Sequence, residues 1–467
     1  MPTLGWLLFA AGLLLITSFL SGWIRRAPIT TFAIYLLGGV VVGPGVLDLT
    51  HLPLTEEHIQ WLRAVSEAAM VVSLFITGLK LRLRFSDGGW RTALRLASLG
   101  MLLTVAGIVI LSVAGFGWPL PWALALAAIV SPTDPVLASL VSVDDARDDD
   151  ALRVAISGEA GLNDATALPI LMLALALAAP GATPSEIWGQ WVTADVVWGL
   201  AGGVAIGFLG GWGFGYLGTH LRHATRDIAP SDFLALGILI AVYALAEGTH
   251  ASGFLAAFAA GVGLRRVELH VSKHAVPDAP ADPAELAPAE TRVNPNERAG
   301  AAIEHPGQTV GWVVSDALSF GETVERLIAA ALVLAVGVAA IPAFSWPGVT
   351  VAALLMLVIR PIAVWLSTLR SAVPWQRRLL IGWFGIRGLG SLNYLAFAIG
   401  HGLKGSRLGA LEGIVITVVT MSILAHGVSV SPLMRWRAQA LAASSRKQPQ
   451  SERSPGSPRP SRSPDRS

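Results

Sequence analysis

The most constraining feature of the chain is the recurrence of apolar runs, each close to the ~20 residues that a helix needs to cross the ~30 Å hydrocarbon core of a bilayer. They fall at about 3–23, 29–47, 62–79, 92–115, 119–143, 152–178, 190–218, 232–248, 251–264, 323–341, 347–369, 376–401 and 408–430. Segments of this kind must satisfy their backbone polar groups internally, because the bilayer core offers no water. The fold class is therefore an all-α polytopic membrane protein of about thirteen transmembrane helices. Only 14% of the 467 residues are charged, against roughly 25% in soluble domains, and 53% are hydrophobic. A formal net charge of +2 gives no reason to invoke nucleic acid. The absence of cysteine excludes disulfides, thiolate chemistry and cysteine-containing metal sites, and nothing in the sequence calls for a cofactor.

Loop charge orients the spans. With the N-terminus outside, inside loops collect Arg25, Arg26, Lys80, Arg82, Arg84, Arg91, Arg95, Arg147, Arg153, Arg222, Arg226, Arg265, Arg266, Lys273, Arg370, Arg377, Arg378, Arg435 and Arg437. Outside loops hold Arg63, Lys404 and Arg407. The positive-inside bias then places the C-terminus in the cytoplasm of a cell bounded by this membrane. Residues 3–23 lack a basic region before them and a small-residue cleavage site after them, so they read as a retained first span. Residues 1–435 form the transmembrane domain. Within it, 270–308 is rich in Pro, Ala and Glu without apolar period and reads as a disordered cytoplasmic loop. Residues 436–467, ending in a Ser/Pro/Arg stretch, read as a disordered cytoplasmic tail.

Inside the spans the few ionisable residues need a reason, since a charge at the bilayer centre costs roughly 2.5 to 3.5 kcal/mol on insertion scales. The segment SGEAGLNDATALPI, 157–170, carries Glu159, Asn163 and Asp164. At about 100° per residue Glu159 and Asn163 share a helix face and Asp164 lies about 140° round, so one helix addresses two partners. In SPTDPVL, Pro132 and Pro135 bracket Thr133 and Asp134; prolines remove donors and disfavour helix at the residues before them, so this span unwinds and turns carbonyls inward. In GWFGIRGLGSLNYL, Gly385, Gly388 and Gly390 surround Arg387 and form the natural second break. Paired interruptions in corresponding positions of two halves point to inverted repeats with a binding site at their interface. Arg360 lies deep in LMLVIRPIAVWL and needs a carboxylate there. Glu159 is the expected carboxylate; whether Arg360 or Arg387 pairs with it stays open at this level. Asp164 and Asp134 with the freed Thr133 carbonyl would make a site for a hard monovalent cation. A carboxylate that must hold either a proton or a cation before crossing is an exchanger. A cation channel or transport-dead sensor, and an intramembrane aspartyl protease using Asp134 and Asp164, are the competing classes. The Gly-x-Gly-Asp pattern of the latter is absent, since Leu162 and Asn163 precede Asp164. His220, His223 and His250 stand near span ends, where pH tuning or no role are both open.

GEAGLND with PTDP, the RP of the eleventh span and the GIRG of the twelfth resemble the monovalent cation:proton antiporters, specifically the NhaP-type sodium/proton exchangers. Further similarity lies in YLLGGVVVGPGVL, LFITGLKLRL, SGFLAAFAAGVGL and FGETVERL, so that it covers about 3–435 in order. The resemblance implies the sodium/proton antiporter fold, with two discontinuous crossing helices, and a homodimer in which a transport domain moves against a dimerisation domain. It implies that Asp164 alternately binds cation (Na⁺, Li⁺ or K⁺) and proton and that Asp134 with the Thr133 carbonyl helps hold the ion. Glu159 would be held by a buried arginine, best matched by Arg360, with Asn163 in the network; the Asn-Asp pair implies electroneutral exchange. No enzymatic activity is implied. Many relatives carry a hydroxyl residue directly after the motif glutamate; here Ala160 stands there, and Ser131 or Thr133 would have to substitute.

Overall fold

Helix is the regular structure throughout the described residues, as a chain that must bury its backbone polar groups in lipid requires. The computed structural model describes residues 3–24, 26–51, 56–82, 88–148, 150–181, 183–226, 229–275, 286–294 and 306–447. The helices run α1 (Thr3–Phe19), α2 (Thr31–Val42), α3 (Glu56–Lys80), α4 (Gly88–Gly115), α5 (Leu120–Val130), α6 (Ala151–Leu162), α7 (Asp164–Ala178) and α8 (Pro184–Thr225). They continue with α9 (Asp232–Gly248), α10 (Gly253–Ala275), α11 (Pro306–Ala340), α12 (Trp346–Ser367), α13 (Trp375–Trp383), α14 (Leu389–Gly400) and α15 (Leu408–Lys447). Among the described residues 7 helical segments are long and apolar enough to cross a membrane: those of α3, α4, α6 with α7, α8, α11, α12 and α15. The remaining apolar runs fall on shorter or interrupted helices. Leu209, Phe233 and Ile110 are 65%, 85% and 66% exposed on outer helix faces, a pattern suited to lipid rather than water.

Small residues set the closest helix contacts. A Cβ on Gly207 or Gly211 of α8 would collide with the backbone of Ala256 or Ala260 on α10, and one on Gly263 of α10 with the backbone of Phe208 on α8. Glycine on both helices lets the two backbones touch, the usual basis of helix association in lipid, where apolar burial drives nothing.

Both predicted breaks are present. α5 ends at Val130 and helix resumes only as a short 3₁₀ turn at Leu137–Leu140, beyond Pro132 and Pro135. The second break separates α13 from α14 over residues 384–388. The span expected over 152–178 is helical with one interruption at Asn163.

The two segments expected to be disordered differ in part from that expectation. Of 270–308, residues 276–285 and 295–305 lie outside the described residues, while 270–275 continue α10 and 306–308 begin α11. Residues 286–294 are not a free loop: they pack on α11 through a 3₁₀ turn at Ala289–Arg292. Arg265 donates to both carboxylate oxygens of Glu290, at 2.8 and 3.1 Å, and the Ala289 amide donates to Glu268 at 3.1 Å. Arg82 also donates to Glu268, at 3.1 and 3.2 Å. Burial pushes the Glu268 carboxyl up, but Arg265 and Arg82 outweigh it and hold the group below its ordinary range. A composition without apolar period concealed this segment because its anchors lie elsewhere in the chain. In the tail, α15 extends helix to Lys447, and 448–467 lie outside the described residues.

Glu290→Ala should remove a bidentate pair worth about 2 kcal/mol and raise the rate of proteolytic cleavage within 286–294 in detergent-purified protein. The Glu268 carboxyl, held low, contributes fully above its unfolded value of about 4.3 and loses that contribution only as pH falls through the folded value. Wild-type protection, normalised to a free peptide of the same sequence, should therefore be equal at pH 8 and pH 6. Faster cleavage at pH 6 would show that some other titration holds the segment down.

Candidate ion-binding site

Each break leaves backbone groups without helical partners, and the two breaks cross so that one repairs the other. The Asp134 amide donates to the Ile386 carbonyl at 2.9 Å. The Asp134 carboxylate accepts from Leu137 N at 2.9 Å through Oδ1 and from Gly390 N at 2.8 Å through Oδ2. Asp134 thus caps its own following turn and the N-terminus of α14 at once, placing negative charge where helix dipoles favour it. A Cβ on Gly388 would lie 2.2 Å from Leu137 Cδ1 and 2.9 Å from Asp134 Oδ2, so a side chain there would press on both residues of the first break. On the other side of the second break, Ser422 Oγ of α15 accepts from the Arg387 amide at 2.8 Å, and His426 Nε2 lies 2.7 Å from the Trp383 carbonyl. These partners answer the demand that buried backbone groups be paired.

Asn163 joins the first break to the α6–α7 junction. Its Nδ2 donates to the Thr133 carbonyl at 3.0 Å and to Thr133 Oγ1 at 2.8 Å. Its side chain therefore engages Thr133 rather than Glu159 or Asp164. Glu159, one turn earlier, is bound by Arg360, whose Nη2 lies 2.5 and 2.6 Å from the two carboxylate oxygens; both residues are buried. Arg360 lies across Gly385, where a Cβ would stand 3.0 Å from its Nε. The open choice between arginines is thereby decided: Arg360 makes the pair. The Arg387 guanidinium is fully buried beside Arg360 and Glu159, and it makes no hydrogen bond among the described residues.

Asp164 begins α7, is 2% exposed, and has Oδ2 without a hydrogen-bond partner among the described residues. Asp134 and the Tyr394 hydroxyl are its polar neighbours. That hydroxyl makes no hydrogen bond of normal geometry, and Ser131 Oγ, Ser391 Oγ and Asn163 Oδ1 are likewise buried without partners there. The crossing is thus surrounded by oxygens that a hard cation prefers. Sequence reading did not single out Tyr394, Ser391, Ser422 or His426. The signal for Tyr394 was its place as one of only four tyrosines, four residues after a break glycine. A cavity of about 220 Å³ is lined by Glu67 from the middle of α3, Leu168 of α7, Tyr243 and Glu247 near the end of α9, and His250 and Phe254. Leu168 is one turn beyond Asp164, and Phe254 meets Tyr394 edge-on at 6.2 Å, so two lining residues adjoin the neighbours of Asp164. His220 instead packs on Tyr216, with ring centroids 3.9 Å apart, and His223 lies farther along the same helix.

A helical membrane fold in which two broken helices cross beside buried carboxylates is the sodium/proton antiporter fold. Residues 13–276 match the family described as "Sodium/hydrogen exchanger, transmembrane", and the chain belongs to that family. Among curated relatives, YjcE of Escherichia coli K12, named as an uncharacterized Na⁺/H⁺ exchanger, is 32% identical over 200 residues, covering 39% of this chain and 35% of that protein. The K⁺/H⁺ antiporter NhaP of Alkalimonas amylolytica is 25% identical over 383 residues, covering 78% and 58%. The chain spans less than two thirds of the length of either. The sodium proton antiporter MjNhaP1 of Methanocaldococcus jannaschii at pH 8 superposes with a TM-score of 0.64 at 14% identity, over 92% of this chain and 99% of that one. An electron-microscopy structure of the same antiporter gives 0.64 at 16% identity, over 98% and 100%. At these identities the likeness is one of fold.

Glu159→Ala should strand Arg360 in the interior and lower stability by about 3 to 5 kcal/mol, read as thermal unfolding in detergent. Replacing both partners, Glu159→Leu with Arg360→Met, should cost less than either single change; an additive loss would contradict a direct pair.

Proposed function

We propose that this chain exchanges a monovalent cation, Na⁺ with Li⁺ or K⁺ as alternatives, for a proton across the cell membrane, with Asp164 as the carrier. The observation that carries this reading is the Asp164 carboxylate itself. It is buried at the crossing of the two breaks, one of its oxygens makes no hydrogen bond of normal geometry among the described residues, and Leu168, one turn along the same helix, lines a cavity. The other acids of the centre are committed: Glu159 to Arg360, and Asp134 to two backbone amides. Commitment does not exclude Asp134 and Thr133 from the ion, because a carboxylate or carbonyl oxygen has two lone pairs and each donor takes only one. Asn163 then sets the position of the Thr133 carbonyl without adding charge.

One uncommitted carboxylate also supports electroneutral exchange. The same group crosses with either one cation or one proton, so the two half-cycles carry equal charge. In this reading the protein works by transport rather than by making bonds. It sits with its N-terminus outside and its C-terminus in the cytoplasm, and it assembles as a homodimer as the family resemblance implies.

Reconstitution into acid-loaded liposomes with an internal pH dye tests this directly. External Na⁺, Li⁺ or K⁺ should alkalinise the lumen, at a rate indifferent to a clamped membrane potential. Asp164→Asn, nearly isosteric with the protonated acid, should abolish the signal while leaving the unfolding temperature near wild type. Current without proton movement would favour a channel instead.

A further inference from the structure

One buried acid is left over once the centre is assigned. Glu325 lies on α11, is 9% exposed, and its only hydrogen bond among the described residues is from Ser73 Oγ of α3 at 3.1 Å. One turn earlier on α11, Glu322 binds Lys80 of α3 at 2.8 Å, with side chains 35% and 17% exposed. Ser73 and Lys80 stand seven apart on α3, two turns along one face. The polar groups therefore descend in order of burial from the Lys80–Glu322 pair, at the C-terminal end of α3, to Glu325 and Ser73 inside.

The same line continues to the centre. Met70, one turn before Ser73, packs at Gly390: a Cβ there would lie 3.6 Å from Met70 Cε and 3.8 Å from Asp134 Oδ2. The charges that bear on Glu325 are Lys80 from α3, Glu322 from its own helix and Asp134 from the first break. Two carboxylates share one ammonium, and that ammonium is bound to the outer one. A single serine hydroxyl does not neutralise an ionised acid in a span, so Glu325 calls for a further cation or a proton.

We propose, resting on the exchange reading, that Glu325 is a second ion-holding carboxylate. It would take the transported cation or proton between Asp134 and the side of the membrane on which α3 ends and α11 begins. Lys80 is its built-in competitor: its ammonium neutralises part of the negative charge that would otherwise attract the arriving cation. Removing the two groups must then have opposite effects on apparent cation affinity. A purely structural role for the cluster does not produce opposite signs.

The test is the half-saturating Na⁺ concentration of exchange in proteoliposomes. Glu325→Gln should raise it about tenfold, the size of one 1.4 kcal/mol coupling. Glu325→Asp should recover part of the loss, and Lys80→Gln should lower the value below wild type. An unchanged value in Glu325→Gln, or a rise in Lys80→Gln, would overturn the proposal and reduce the cluster to a helix tie. If Glu325→Gln does not fold, the Lys80 variant decides alone, since a value that does not fall is incompatible with competition. Failure of the underlying reading looks different: wild type would then show no cation-driven, Asp164-dependent pH change, and this inference would fall with it.

Discussion

The structure depends on one constraint: a broken helix inside a bilayer must find partners for every amide and carbonyl it frees. Here the two breaks solve it mutually. The Asp134 amide takes a carbonyl from the second break, and the Asp134 carboxylate receives an amide from each half of the chain. A neutral side chain in that place would leave two helix starts facing each other without the anion that their dipoles favour. Three more freed groups, the Thr133 carbonyl, the Arg387 amide and the Trp383 carbonyl, are met by Asn163, Ser422 and His426. The crossing is therefore a polar knot in an apolar medium, and Asp164 stands in it with an oxygen that makes no hydrogen bond among the described residues.

Charge within the knot is distributed by geometry rather than by count. Glu159 has two buried guanidiniums near it, yet it binds only Arg360, because Gly385 leaves the space through which that side chain passes. Arg387 remains a buried cation held by its backbone amide, and its field reaches both members of the pair. The pair keeps Glu159 and Arg360 committed to each other, since breaking it by removing either partner would leave an uncompensated buried charge.

How much of this was legible in the sequence follows the physics of each residue. Ionisable groups in spans announce themselves by their cost, so Glu159, Asp164, Asp134 and Arg360 could be named without coordinates, and the prolines around Thr133 marked the first break. What one span does to another was not legible. The hydrogen bond from Asn163 to Thr133 joins residues 30 positions apart, and the cap from Asp134 to Gly390 joins residues 256 apart. No local pattern encodes either. The segment 286–294 failed for a related reason, since its order comes from Arg265 and Arg82, which sit on other elements. Glu325 lay within a recognised motif, but its burial and its line to Asp134 exist only in three dimensions.

The glycine contact between α8 and α10 has a mechanical side. When two helices meet backbone to backbone through Gly207, Gly211 and Gly263, each ridge of one sits in a notch of the other. Neither sliding nor rotation is possible without driving carbonyls into Cα atoms. The pair is thus a keyed joint, rigid along its length. The Phe254 ring edge on Tyr394 and the hydrogen bond from Ser66 of α3 to Asn393 are contacts of another kind. Side chains such as these re-form after a shift of a few ångströms. The keyed pair therefore resists shear along its length, where side-chain contacts of this kind yield.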